Sequence, residues 1–159
     1  MAAHSFVELR AWQSARAFKL AIYRLIVEQP LARDYKLCEQ LRESARSAVS
    51  HVAEGYGRFY PADFARFLGM AKASVIEAQN HLQDAVDLGH ISEEQRAEHH
   101  GLADAALRDV TALIEYLQSP RAADNAKKVR AKRQARRTRN PEPRTPNREN
   151  ENPEPEPGT

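Results

Sequence analysis

Apolar residues recur at every third or fourth position in four stretches of this chain, and turn-forming residues separate them. The first stripe is Ala11, Ala15, Phe18, Ile22 and Leu25. Ser5 and Glu8 ahead of it spell the S-x-x-E signature of a helix start, and Pro30 is placed to stop the helix. The second is Leu37, Leu41, Ala45, Ala48 and Val52, fading at Gly55 and Gly57; its small residues would let another helix approach closely. The third and longest runs through Phe64, Phe67, Leu68, Ala71, Val75, Ala78, Leu82 and Ala85. Pro61 suits its first position, Asp63 its first turn, and Gly89 the residue just past its end. The fourth is Ala103, Leu107, Val110, Ile114 and Leu117, opened by a second capping box at Ser92 and Gln95 and closed at Ser119-Pro120. Phe67 and Leu68 are neighbours about 100° apart on a helix, so one of them is expected to face another subunit.

No run alternates with period two long enough to make a strand. The pattern predicts an all-α fold, an antiparallel up-down-up-down four-helix bundle over residues 1–120, with one stripe per helix lining a shared core. Beyond Pro120 the stripe is lost. Residues 121–139 are rich in Ala, Lys and Arg and could extend a helix, and 140–159 hold six prolines in twenty positions. The segment 121–159 is expected to be a disordered tail, basic and then Pro/Glu-rich, with too little apolar surface to offset the entropy of ordering.

Charge divides along the same boundary. Residues 1–120 hold 13 Lys+Arg and 16 Asp+Glu, a net −3; residues 121–159 hold 11 and 6, a net +5. The formal charge of +2 therefore comes from the tail, and the expected bundle surface is slightly acidic. No apolar run approaches the roughly 20 residues that span a bilayer. The first residues, MAAHSFVELR, lack the charged start and apolar run of a secretory signal. With Cys38 the single cysteine, a reducing cytoplasm is the expected compartment and no membrane partner is implied.

Four blocks carry a family likeness. Phe6, Leu9, Ala11, Trp12 and Gln13 fit F-x-x-L-x-[AV]-W-Q. Gln40, Leu41, Arg42, Ala45, Ser47, Val52, Ala53, Glu54 and Gly55 fit Q-[IL]-R-R-A-A-x-S-[IV]-x-x-N-[IV]-A-E-G. Phe64, Arg66, Phe67, Leu68, Met70, Ala71 and Ser74 fit the next block, and Glu77, Leu82, Ala85, Leu88, Gly89 and Ile91 the last. With this spacing kept over about residues 6–118, the chain resembles the 23S rRNA intervening-sequence protein family, also called the four-helix bundle protein family. It is similar too to the accessory protein of diversity-generating retroelements. The resemblance implies a four-helix bundle assembled as a homopentamer around a central channel. It implies a partner that is RNA, another nucleic acid or a protein bound to one, and it names no reaction. Glu43, His51 and Ala73 stand where Arg, Asn and Gly are usual. Glu43 removes a positive charge from the second helix.

Several constellations merit weighing for chemistry. Gln40, Arg42, Glu54, Arg66 and Glu77 read as a structural polar cluster near the turn between the second and third helices, since buried charges need partners. A ligand-binding carboxylate is the other reading of Glu54, though no second carboxylate or nucleophile stands beside it. Of the histidines His4, His51, His81, His90, His99 and His100, only the last two adjoin, and neighbours on a helix diverge too far to share a metal. No metal or cofactor is expected, and without a phosphate loop or catalytic triad no enzyme is expected. Cys38 reads as a small core hydrophobe. Tyr56, Phe59 and Tyr60 with Arg58 either stack on unpaired bases or pack the end of the bundle or a neighbouring subunit. The strongest nucleic-acid candidate is the run Lys127, Lys128, Arg130, Lys132, Arg133, Arg136, Arg137 and Arg139, eight basic residues in thirteen with no acid between them. Two functions follow: an oligomeric, non-enzymatic protein that binds RNA through basic residues, or a protein–protein scaffold with no nucleic-acid role.

Overall fold

The computed structural model describes residues 5–58 and 60–139, with side chains through Val129 and at Ala131. Among them the chain is all-helical, with five helices and no strand: α1 Arg10–Leu25, α2 Tyr35–Tyr56, α3 Pro61–Asp87, α4 Glu93–Gln118 and α5 Pro120–Arg139. Tertiary contacts divide the chain into two units that meet between Ala126 and Lys127.

In the first unit α1 packs on α2 and α4, and α3 packs on α2 and α4, with α2 and α3 the most extensively paired. Every residue of the first two predicted stripes is buried, as are all of the third except the half-buried Phe64. Phe18, Ile22, Leu41, Leu68, Leu82, Val75 and Val110 are fully enclosed. The fourth stripe is shallower. Ala103 and Val110 are buried, Leu107, Ile114 and Leu117 are half-buried, and the pattern left out Ala106 and His99, both buried. His99 is accommodated because its Nδ1 lies 2.7 Å from the Gln95 carbonyl on the preceding turn. Both Phe67 and Leu68 are buried within one chain, at 6% and 0% exposure, so the expectation that one faces another subunit is corrected.

Helix ends follow local chemistry. Ser92 accepts from the Gln95 amide while the Gln95 side chain accepts from the Ser92 amide, closing the predicted capping box. Pro61 begins α3 with Asp63 in its first turn, and Gly89 takes φ +70 just beyond α3, where a Cβ would be strained. The first predicted cap does not form. Ser5 makes no side-chain cap bond; Phe6–Glu8 is a single 3-10 turn, and extended Leu9 starts α1 at Arg10. That turn folds Phe6 edge-on against Trp12, ring centroids 5.4 Å apart. α1 likewise ends at Leu25, before Pro30, because Ile26 and Leu31 tuck into the core across the connection. Cys38 sits beneath them, its thiol donating to the carbonyls of Ile26 and Leu31 at 3.5 and 3.3 Å. Burial pushes this thiol's pKa up.

Residues 121–139, read as a tail that could extend a helix, continue as α5. Pro120 suits the first position of that helix. The Ser119 hydroxyl lies 3.4 Å from the Ala122 amide, and Ala122 is buried at 4% exposure. The first compact unit runs through Ala126. In the second unit Lys127, Lys128 and Val129 are exposed. The expectation of disorder over 140–159 lies outside the described residues.

Candidate nucleic-acid interface

Of the predicted basic run, Lys127 and Lys128 are solvent-exposed on α5. Arg130, Lys132, Arg133, Arg136, Arg137 and Arg139 fall on the same helical backbone, and their side chains lie outside the described residues. The helix carries the eight positive charges with no acid among residues 127–139.

The predicted polar cluster is not brought together. Arg42 and Glu54 lie twelve residues apart on α2, about 18 Å along its axis. Each finds a local partner instead: Arg42 pairs with Glu39, and Glu54 with Arg58 at 2.6 Å. Glu77 sits 3.9 Å from His81 Nε2. Gln40 lines an open groove of about 430 Å³ with Asp34, Leu37, Asp84, Asp87 and Leu88. These charges are half-exposed, so their pairs are surface ion pairs that contribute little to stability. No group of three or more metal-ligating side chains gathers among the described residues.

Arg58 and Arg66 do converge, at the α2–α3 end. The Arg58 guanidinium lies 4.4 Å from the Phe67 ring centroid and that of Arg66 lies 4.9 Å from it. Gly55 makes the close crossing possible. A Cβ there would stand 2.6 Å from Phe64 Cδ2 and 2.9 Å from Phe67 Cβ, so only a glycine lets α3 lie this near α2. His51, one turn earlier on α2, sits 6.4 Å ring-to-ring from Phe67, and its buried Nδ1 has no hydrogen-bond partner. Tyr56 stacks edge-on against Phe64 at 6.4 Å, packing the end of the helices as one reading expected. Tyr60 is 55% exposed. Phe59 lies outside the described residues. The role of Phe67 as a platform for two arginines was not legible in the sequence, because Arg66 and Phe67 read only as two letters of a motif.

A third arrangement lies toward the other end of α2. Asp34 caps that helix by accepting from the Leu37 amide at 3.0 Å, and His90, in the turn between α3 and α4, approaches its second oxygen at 3.3 Å. The Leu37 hydrogen bond, above all, holds the Asp34 carboxyl below its ordinary pKa; burial opposes it, and the hydrogen bond and charge of His90 add to the lowering.

Three comparisons bear on kinship. No curated protein matches the sequence. Among solved structures, the chain is similar to a protein of unknown function from the S23 ribosomal protein family of Bacteroides thetaiotaomicron. The TM-score is 0.56 at 18% identity, over 69% of this chain and 99% of that one, a likeness of fold alone. A family model described as 23S rRNA-intervening sequence protein matches residues 7–112, spanning all or most of α1 to α4. That match covers more than half of the chain, which belongs to the 23S rRNA-intervening sequence protein family.

Proposed function

We propose that this protein is a non-enzymatic, cytoplasmic, antiparallel up-down-up-down four-helix bundle. It assembles with copies of itself, five by the family resemblance, and binds RNA, alone or with an RNA-bound protein, through the basic helix α5. The observation that carries the reading is the charge partition. Eight basic residues fall in thirteen positions of α5, whereas residues 1–120 are net −3. Phosphate backbones attract such a helix without any specific pocket. The antiparallel arrangement is supported by cross-links between opposite helix ends: Arg10 at the start of α1 with Asp109 late in α4, and Gln95 early in α4 with Glu28 after α1. Self-assembly is supported by the outer side of α3, where Gly69, Met70, Ala73 and Ile76 are exposed. The same apolar exposure favours the second reading, a protein–protein scaffold with no nucleic-acid role.

Binding of generic RNA by the full chain and by a chain ending at Ala126 separates the two. Full engagement of the eight charges on duplex would give a log–log salt slope of about −7, shallower on single strands. The shortened chain should lose most of the affinity and keep its helical signal and oligomeric state. Equal binding by both chains would remove α5 from the function, and no binding by either would favour the scaffold.

A further inference from the structure

The α2–α3 end carries positive charge and an unpaired polar atom that the α5 reading does not use. His51 and Gly55 lie one turn apart on α2 and Arg58 stands just past its end, and each of the three adjoins Phe67 of α3. Arg66 reaches the same ring from α3. The ring's negative faces attract both guanidiniums, which repel each other. One carboxylate answers them: Glu54 pairs with Arg58, and both side chains are about half-exposed, so the pair can exchange partners at little cost. Arg66 makes no ion pair among the described residues. The buried His99 finds a carbonyl for its Nδ1, whereas His51 Nδ1, like His100 Nε2 elsewhere, has no hydrogen-bond partner. Two planar guanidiniums drawn to one ring, their carbons 4.4 and 4.9 Å from its centroid, stand near enough for one oxyanion to meet both, and guanidinium is the side chain best suited to phosphate.

We propose that Arg58 and Arg66, positioned by Phe67, form a phosphate-binding notch. Arg58 releases Glu54 to engage a phosphodiester of single-stranded RNA, and the exposed Tyr60 ring stacks the adjoining unpaired base. The RNA as ligand rests on the function proposed above; the phosphate site stands on its own geometry. Duplex is disfavoured because its bases are not available to stack on an aromatic side chain.

The test uses the full chain. Inorganic phosphate is titrated while the His51 ring resonances are followed by NMR, and affinities are measured for a labelled oligouridine and for an RNA duplex of equal length. Phosphate should shift the His51 resonances saturably, and Arg58→Gln with Arg66→Gln should abolish that response. The same double variant should weaken oligouridine binding about ten-fold, as loss of charge-assisted hydrogen bonds predicts, with less than two-fold change on duplex. Arg58→Lys with Arg66→Lys should restore part of the affinity, and removing equal charge elsewhere, by Arg24→Gln with Arg33→Gln, should change it less than two-fold. An absent His51 response in the wild-type chain, or unchanged oligouridine affinity in the double variant, overturns the notch. If the wild-type chain binds neither RNA while the His51 response is intact, the phosphate site stands and the RNA reading falls.

Discussion

Single residues decide how closely the helices can approach. Gly55→Ala gains intrinsic helix propensity of about 1 kcal/mol but drives a methyl into Phe64 and Phe67, an overpacking of about 1–3 kcal/mol, so net destabilisation is expected. Gly101→Ala, with open space around its Cβ in mid-helix, should instead stabilise by up to about 1 kcal/mol. Urea denaturation of the two variants checks the opposite signs. Phe67→Ala should cost about 3 kcal/mol by the same measurement, since the ring is buried and clamped beneath two arginines. Which residues are interior was largely legible, because burial follows the three-to-four spacing that the apolar stripes display. Which polar residues meet was not. Arg42 pairs with Glu39 one turn away, and Glu54 pairs with Arg58, so short helical spacing satisfied the charges that a motif reading had gathered across the turn.

At the scale of the element, helix boundaries were readable where side-chain chemistry alone sets them. Ser92 with Gln95, Pro61 and Gly89 each act as their residue type dictates. Ser92→Ala should cost about 1 kcal/mol by opening the capping box, measured as a lowered midpoint in urea. The boundaries that tertiary packing sets were not readable: the Ser5–Glu8 motif yields to a 3-10 turn that seats Phe6 on Trp12, and Asp34, which no sequence signature singled out, caps α2. α5 was legible as a helical extension but not as one that packs, for a related reason. Its composition lacks an apolar stripe, and the buried Ala122 that anchors its start looks like any alanine in sequence. Asp34 also has a pH consequence. Its folded pKa lies below that of the unfolded chain, so its contribution is present above the unfolded value, about 3.9, and is lost as pH falls through the folded value. Asp34→Asn should lower Tm at neutral pH and flatten the fall in Tm below about pH 4. An unchanged acid limb would mean that other carboxylates govern it.

For the whole molecule, oligomeric state and charge are separable. Gly69 lies exposed on the outer side of α3 beside Met70, with Ala73 and Ile76 one and two turns on. If copies meet there, Gly69→Trp should reduce the mass seen by light scattering without loss of helical signal. A wild-type chain that is monomeric at micromolar concentration would end the assembly reading. The helical class was legible from periodicity, whereas assembly and partner were not, because both depend on surfaces that a second molecule completes. One buried group offers access to motions that equilibrium measurements average away. Cys38, the chain's single cysteine, is held under the α1–α2 connection with its thiol bonded to two carbonyls and its ionisation suppressed. A thiol-directed reagent can modify it only after that connection lifts, so the native sequence contains a clock for local opening. Labelling rates at increasing urea would show whether this end breathes alone or opens only with the whole fold, with no engineered probe required.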